Sequence, residues 1–264
     1  MSRLHLTFEC KEVLLAGTLD TAPGATGLLI VSGGNEIRSG AFSGQSDLAA
    51  NIAKAGFPVF RFDRRGIGDS EGHNRGFRKS SRDITAAIAA FRALTPQMER
   101  LIAFGNCDAA SALMLAGGLG CDGLILSNPW TFDGEQEPGE DAANDLPPAA
   151  IRARYLQKLG NPREIVRLIS GEVSFRKLLR GVARSFRASP PPSSLAAEIR
   201  SGIAGFRGDV HILLATADRT AQIFESAWGK EDPRIHRCDG AGHAYAEPEH
   251  RAWLTAEVLA ALRN

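Results

Sequence analysis

One cysteine of this 264-residue chain lies where a catalytic nucleophile is expected. The apolar segment Leu101–Phe104 ends at Gly105, one residue follows, and Cys107 then opens a stretch of small residues that is typical of a helix start. A sharp strand-to-helix turn at this position would expose the thiol, and the small residues Gly105 and Ala109 leave room for that turn. The partial positive charge of the helix N-terminus favours the thiolate. The alternative is a buried structural cysteine at a strand end.

A histidine and an aspartate further along the chain complete a nucleophilic set. His243 lies in a glycine-rich loop after the last predicted strand, where an imidazole can act as general base. Asp218 follows a buried strand and can fix the imidazole tautomer. Taken alone, His243 is equally an exposed loop residue and Asp218 the N-cap of the next helix. The order nucleophile, acid, base favours a triad of Cys107, Asp218 and His243 that attacks an acyl carbon.

Backbone N–H groups for the developing oxyanion are predicted at two places. Paired glycines follow a buried strand directly in the segment Gly33-Gly34-Asn35, where an N–H of Gly34 or Asn35 can face the substrate. The second donor is the N–H of Asp108, the residue after the nucleophile.

The elements that position these residues form an alternating pattern of strands and helices. Continuous apolar runs indicate strands covered on both faces, and alternation with helices predicts a doubly wound, mostly parallel sheet. The predicted strands are Leu4–Cys10, Glu12–Leu19, Gly27–Ser32, Pro58–Phe62, Leu101–Phe104, Gly123–Ser127, Val210–Thr216 and Arg234–Cys238, the first two as an antiparallel edge. The predicted helices cover 46–55, 81–94, 108–118, 219–228 and 249–262, with Ser80 and Asp83 as a capping box for the second.

These motifs resemble the α/β-hydrolase superfamily over nearly the whole chain. More narrowly, the paired glycines, the segment 61–72 (Arg-Phe-Asp-x-Arg-Gly-x-Gly-Asp-Ser-Glu-Gly) and the segment 107–111 are similar to the exosortase A system-associated hydrolase type 1 family. The resemblance implies an α/β-hydrolase fold with an eight-stranded sheet, and a gene neighbourhood concerned with exopolysaccharide and protein sorting in a Gram-negative bacterium. Ser32 stands where such hydrolases often have a histidine, which leaves the choice between Gly34 and Asn35 open.

The alternation of strands and helices stops between 133 and 205. Residues 133–147 carry six acidic and no basic residues, residues 150–187 carry ten basic and two acidic ones, and a proline-rich stretch follows at 189–194. We therefore expect a helical lid at 133–205, inserted into a hydrolase core formed by 1–132 and 206–264. Its basic part either attracts an anionic substrate or forms a solvated helix face that pairs with the acidic stretch.

Composition excludes several other classes of protein. The formal net charge of +1 gives no basic field for nucleic acid, and no apolar run reaches the ~20 residues of a membrane helix. With no visible secretory signal and four scattered cysteines, a reducing cytoplasm is the expected location. The histidines include no His-x-x-x-His pair, so neither a metal nor another cofactor is expected. The sequence leaves a homo-oligomer open.

The residues together predict an enzyme that hydrolyses a small-molecule carboxylic ester or thioester through a cysteinyl acyl-enzyme. One alternative is an acyltransferase that passes the same acyl group to an acceptor other than water. The other is a hydrolase-like binding protein without turnover. Neither the substrate nor its acyl chain length follows from the sequence.

Overall fold

The computed structural model describes residues 2–132 and 194–264, and these contain one eight-stranded sheet. The order of strands is β1-β2-β4-β3-β5-β6-β7-β8. The strands are β1 (Arg3–Cys10), β2 (Val13–Asp20), β3 (Thr26–Val31), β4 (Val59–Phe62), β5 (Arg100–Asn106), β6 (Gly123–Ser127), β7 (Asp209–Ala215) and β8 (Ile235–Cys238). All eight predicted strands are present.

The pairing directions agree with the predicted topology. β1 pairs antiparallel with β2, and β2 pairs antiparallel with β4, whereas every pairing from β4 through β8 is parallel. Parallel pairing brings the carboxyl ends of β3, β5, β7 and β8 to one edge. The predicted catalytic residues and oxyanion donors follow these strand ends in the sequence, so the topology places them at the same edge of the sheet.

Helices cover both faces of the sheet. They are α1 (Gly44–Lys54), α2 (Ser81–Leu94), α3 (Asp108–Leu115), α4 (Ser194–Ile203), α5 (Arg219–Trp228) and α6 (Pro248–Arg263). On one face, side chains of α2 to α5 pack into a large apolar core, and on the other, α1 and α6 enclose a smaller one. Fully apolar strands such as β3 are therefore buried on both sides, as the sequence indicated.

The predicted capping box of α2 is wrong. The Ser80 side chain makes no capping hydrogen bond and instead donates to the carbonyl of Phe77 at 2.7 Å. The carboxylate of Asp83 accepts hydrogen bonds from the backbone N–H and from Nε of Arg65. The Asp83 side chain, which the sequence assigned to the cap of α2, therefore forms an ion pair with Arg65 instead.

The predicted lid lies mostly outside the described residues, and its part at 133–193 stays a prediction. Within 194–205, helix α4 buries Leu195 and Ile199 in the same core as α3. Its Gly202 contacts α3 so closely that an added Cβ would lie 2.4 Å from the carbonyl oxygen of Met114. The core of the sheet domain therefore includes α4. None of the described helices is long and apolar enough to cross a membrane.

Candidate active site

Cys107 occupies a strained turn between β5 and α3. Its backbone has φ 61° and ψ −127°, a conformation that non-glycine residues rarely adopt. The Cys107 N–H donates to the carbonyl of Ser127 on β6 at 2.9 Å, and the Trp130 N–H donates to the carbonyl of Cys107 at 3.3 Å. These bonds to the end of the neighbouring strand hold the turn, and the side chain remains partly exposed.

Glycine at two positions is what allows this turn to form. A Cβ on Gly105 would lie 2.8 Å from the carbonyl carbon of Ala109 and 2.8 Å from the nitrogen of Ala110. A Cβ on Gly33 would lie 2.6 Å from the carbonyl oxygen of Asn106 and 3.4 Å from Cβ of Cys107. The start of α3 and the loop after β3 therefore both approach the nucleophile turn at backbone contact distance.

His243 and Asp218 meet at the carboxyl edge of the sheet. Nδ1 of His243 lies 2.9 Å from Oδ2 of Asp218. The same carboxylate caps α5, because its Oδ2 also accepts the Ala221 N–H at 3.1 Å. The cap predicted for Asp218 is therefore present, and it fixes the carboxylate that faces the imidazole.

The imidazole of His243 also interacts with the side chain of Cys107, which is one cause of its raised pKa. Because Nδ1 faces Asp218, this contact uses Nε2. Burial lowers the pKa of His243, but the hydrogen bonds and charges of Asp218 and Cys107 outweigh it and raise the pKa to about 10. The structure thus brings the three predicted side chains into one chain of contacts, Cys107 to His243 to Asp218, with a protonated imidazole at neutral pH.

The loop that carries His243 is fixed by buried polar side chains. Nδ2 of Asn128 lies 3.1 Å from Oδ1 of Asn106 and 3.4 Å from the His243 carbonyl, while its Oδ1 accepts the Ala215 N–H at 2.9 Å. The Tyr245 hydroxyl, two residues beyond His243, lies 3.1 Å from Oγ of Ser127. One asparagine therefore connects β5, β7 and the histidine loop.

Comparison with known proteins places this fold in a family. A model described as the alpha/beta hydrolase family matches residues 28–257. The chain belongs to the alpha/beta hydrolase family. No curated protein matches the sequence of this hydrolase.

Solved structures with the same fold share little sequence with it. The DcsB complex with its substrate analogue has a TM-score of 0.64 at 14% identity, covering 99% of each chain. The alpha/beta hydrolase GrgF of Penicillium sp. sh18 has a TM-score of 0.62 at 15% identity, covering 100% of this chain and 98% of that one. The Pyrococcus furiosus esterase Pf2001 has a TM-score of 0.60 at 13% identity, covering 99% and 90%. At these identities the likeness is one of fold.

The predicted oxyanion donors of the hydrolase differ in their partners. The Gly34 N–H donates to Oδ1 of Asp108 at 2.7 Å. Nη2 of the buried Arg64 donates to the Gly34 carbonyl and lies 3.4 Å from Oδ2 of Asp108. The side chain of Asp108 thus ties the loop after β3 to the nucleophile turn. Among residues 2–132 and 194–264, neither of the other two predicted donors, the N–H groups of Asn35 and Asp108, has a tertiary hydrogen-bond acceptor of this kind.

A carboxylate that the sequence analysis did not identify also belongs to the site. Glu36 lies in the loop after β3, and its pKa is raised by burial, with a smaller opposing influence of His243. Nε2 of Gln45 lies 3.1 Å from Oε2 of Glu36, and Oε1 of Gln45 accepts the Ser32 hydroxyl at 2.9 Å. No local motif marks Glu36. The only sequence signal is its place one residue after the predicted oxyanion loop.

Proposed function

We propose that this hydrolase cleaves a small-molecule carboxylic ester or thioester through an acyl-enzyme on Cys107. The observation that carries the proposal is the placement of His243, whose Nδ1 lies 2.9 Å from Oδ2 of Asp218 and whose imidazole also interacts with the side chain of Cys107. Its geometry supports acyl chemistry because the nucleophile, the base and the group that orients the base are in contact.

The first half of the reaction uses an ion pair. The imidazole of His243, whose pKa is about 10, holds the proton of the Cys107 thiol when the sulfur attacks. The thiolate attacks the acyl carbon, and the N–H groups of Asp108 and Asn35 donate hydrogen bonds to the developing oxyanion. Asn35 is preferred to Gly34 because the Gly34 N–H already donates to Asp108. The imidazolium then protonates the leaving alcohol or thiol.

The second half requires a neutral imidazole. Acylation removes the thiolate, whose charge and hydrogen bond help to raise the pKa of His243. Only Asp218 then counteracts the lowering effect of burial, so the pKa of His243 falls. A neutral His243 can take a proton from water, whose oxygen attacks the acyl carbon and releases the acid.

The subfamily and the cellular location of the protein are part of the same proposal. The motifs at 61–72 and 107–111 support membership of the exosortase A system-associated hydrolase type 1 family. All four cysteines are free, which supports a cytoplasmic location.

Transfer of the acyl group to an acceptor other than water would use the same acyl-enzyme intermediate. Incubation with an acyl donor, with and without acceptor alcohols, separates this transfer from hydrolysis.

The experiment that tests the proposal is a screen of p-nitrophenyl esters and acyl thioesters of varied chain length. We expect turnover by the wild type, none by Cys107→Ala, and partial turnover of activated esters by Cys107→Ser, which keeps the base and its partner. His243→Ala should abolish the activity of the serine variant. Full activity in Cys107→Ala would overturn the proposal. If the wild type turned over none of these esters and thioesters, a hydrolase-like binding protein would be favoured instead.

A further inference from the structure

A cavity of about 60 Å³ lies between α1, α6 and the histidine loop. Its lining includes the polar residues Glu36 and His243 and the apolar residues Leu48, Phe104 and Leu254. Asp47 of α1 and Arg251 of α6 also line it and form an exposed ion pair at 3.6 Å. The cavity therefore extends from the solvent-exposed helix pair to the catalytic imidazole.

The size and the polar groups of the cavity suit water better than an acyl chain. A cavity needs roughly 10–15 Å³ for each water and two to four polar partners for it. The observed volume holds a few waters, whereas drug-sized ligands need several hundred Å³. Glu36 and His243 supply polar partners where deacylation takes place.

The carboxylate of Glu36 has capacity for a further hydrogen bond. It accepts one from Nε2 of Gln45 at 3.1 Å, and the backbone of Ala41 also favours its charged form. An ionised carboxylate offers about four lone-pair sites, so about two remain. Because Ser32 holds Gln45 in turn, the position of this carboxylate is fixed relative to the nucleophile turn.

We propose that Glu36 and His243 hold the deacylating water in this cavity. The inference rests on the proposed acyl-enzyme at Cys107. The water oxygen bonds to the acyl carbon while Nε2 of His243 takes one of its protons. The carbon–sulfur bond then breaks, the carboxylic acid leaves, and the water proton stays on His243 beside the Cys107 thiolate, which restores the starting ion pair. Glu36 accepts a hydrogen bond from the second water proton and exchanges no proton itself.

The alternative is that Glu36 has a purely structural role and only stabilises the loop after β3. The two roles differ in which half-reaction they affect. Distortion of this loop would impair the oxyanion donors, which serve acylation and deacylation alike. Loss of a water ligand slows only deacylation, because no water takes part in acylation.

The test uses Glu36→Gln, which keeps the shape and an acceptor for Gln45 but removes the charge. The wild type and the variant are mixed with p-nitrophenyl acetate, and the rate of p-nitrophenol release in the first turnover gives acylation. The decay of the acetylated protein, followed by intact mass after removal of substrate, gives deacylation. Glu9→Gln on the exposed β1 edge is the matched control.

We expect Glu36→Gln to acylate at the wild-type rate and to deacylate about tenfold more slowly or worse, the loss expected for one hydrogen bond to a charged group. Glu36→Asp should recover part of the deacylation rate. An unchanged deacylation rate in Glu36→Gln, or an equal loss in both half-reactions, would overturn the inference while leaving the acyl-enzyme intact. Failure of the wild type to form any acetyl adduct would overturn the acyl-enzyme itself, and the inference with it.

Discussion

The carboxylate of Asp108 accepts the backbone N–H of Gly34 at 2.7 Å, across the gap between two loops of the candidate active site. One loop carries the proposed nucleophile Cys107, and the other follows β3 and carries the predicted oxyanion donor Asn35. The side chain of the residue after the nucleophile therefore sets the distance between the loops that must close on the substrate carbonyl.

Replacing Asp108 should reduce kcat more than it raises KM. Asp108→Ala frees the loop after β3 and leaves the buried Arg64 without its carboxylate partner, so we expect a kcat loss of about tenfold or more on p-nitrophenyl acetate. Asp108→Asn keeps an acceptor for the Gly34 N–H and should retain most of kcat. Equal kcat in Asp108→Ala and wild type would show that the contact does not position the loop.

Asn128 should be among the most sensitive positions for stability. It is fully buried, has φ 42°, and bonds to β5, β7 and the histidine loop. Asn128→Ala should lower the free energy of unfolding by about 3 kcal/mol, from lost hydrogen bonds and backbone strain. Urea denaturation measures this loss.

Asn128→Gly separates the two causes, because glycine accepts the positive φ but makes none of the side-chain bonds. We expect it to be about 1 kcal/mol more stable than Asn128→Ala. Equal stability of Asn128→Ala and wild type would contradict the account of this residue.

Two glycine-to-alanine changes should have opposite effects. A Cβ on Gly105 would overlap the backbone of Ala109, whereas a Cβ on Gly44 would meet no atom within 4 Å. Gly105→Ala should therefore distort the nucleophile turn and abolish activity. Gly44→Ala, at the helical φ of −59°, should stabilise the fold by about 0.5 kcal/mol. Activity assays and thermal melts check both, and wild-type activity in Gly105→Ala would contradict the packing argument.

The protonated His243 should stabilise the fold at low and neutral pH. Its pKa is about 10 in the folded protein against an ordinary value of 6.5, so its contribution is complete below pH 6.5 and is lost as the pH rises towards 10. The Tm of the wild type relative to His243→Gln should accordingly decline over that window. The exposed His73→Gln is the control, and a difference that rises with pH would contradict the raised pKa.

The strands could be predicted from the sequence because they have local signals, and the residues of the proposed triad were found by their positions at strand ends. Apolar runs mark the eight strands, and Cys107, Asp218 and His243 each follow one of them. The contacts of Arg64 with Asp108 and of Gln45 with Glu36 join loops that are distant in the chain, so no spacing rule indicates them. Similarly, the sequence assigned the residues of α4 to the predicted lid at 133–205, because the packing of this helix on α3 depends on tertiary contacts.

The most direct test of the account is to locate the acyl group after reaction with p-nitrophenyl acetate. Burial raises the pKa of Cys10 and Cys238, and that of Cys121 to about 12, whereas Cys107 is partly exposed and in contact with His243. Quenching at acidic pH, proteolysis and peptide mass spectrometry should find one acetyl group, on Cys107, and none in Cys107→Ala or His243→Ala. Turnover of the ester with no adduct on Cys107, or with an adduct on another cysteine, would contradict the account.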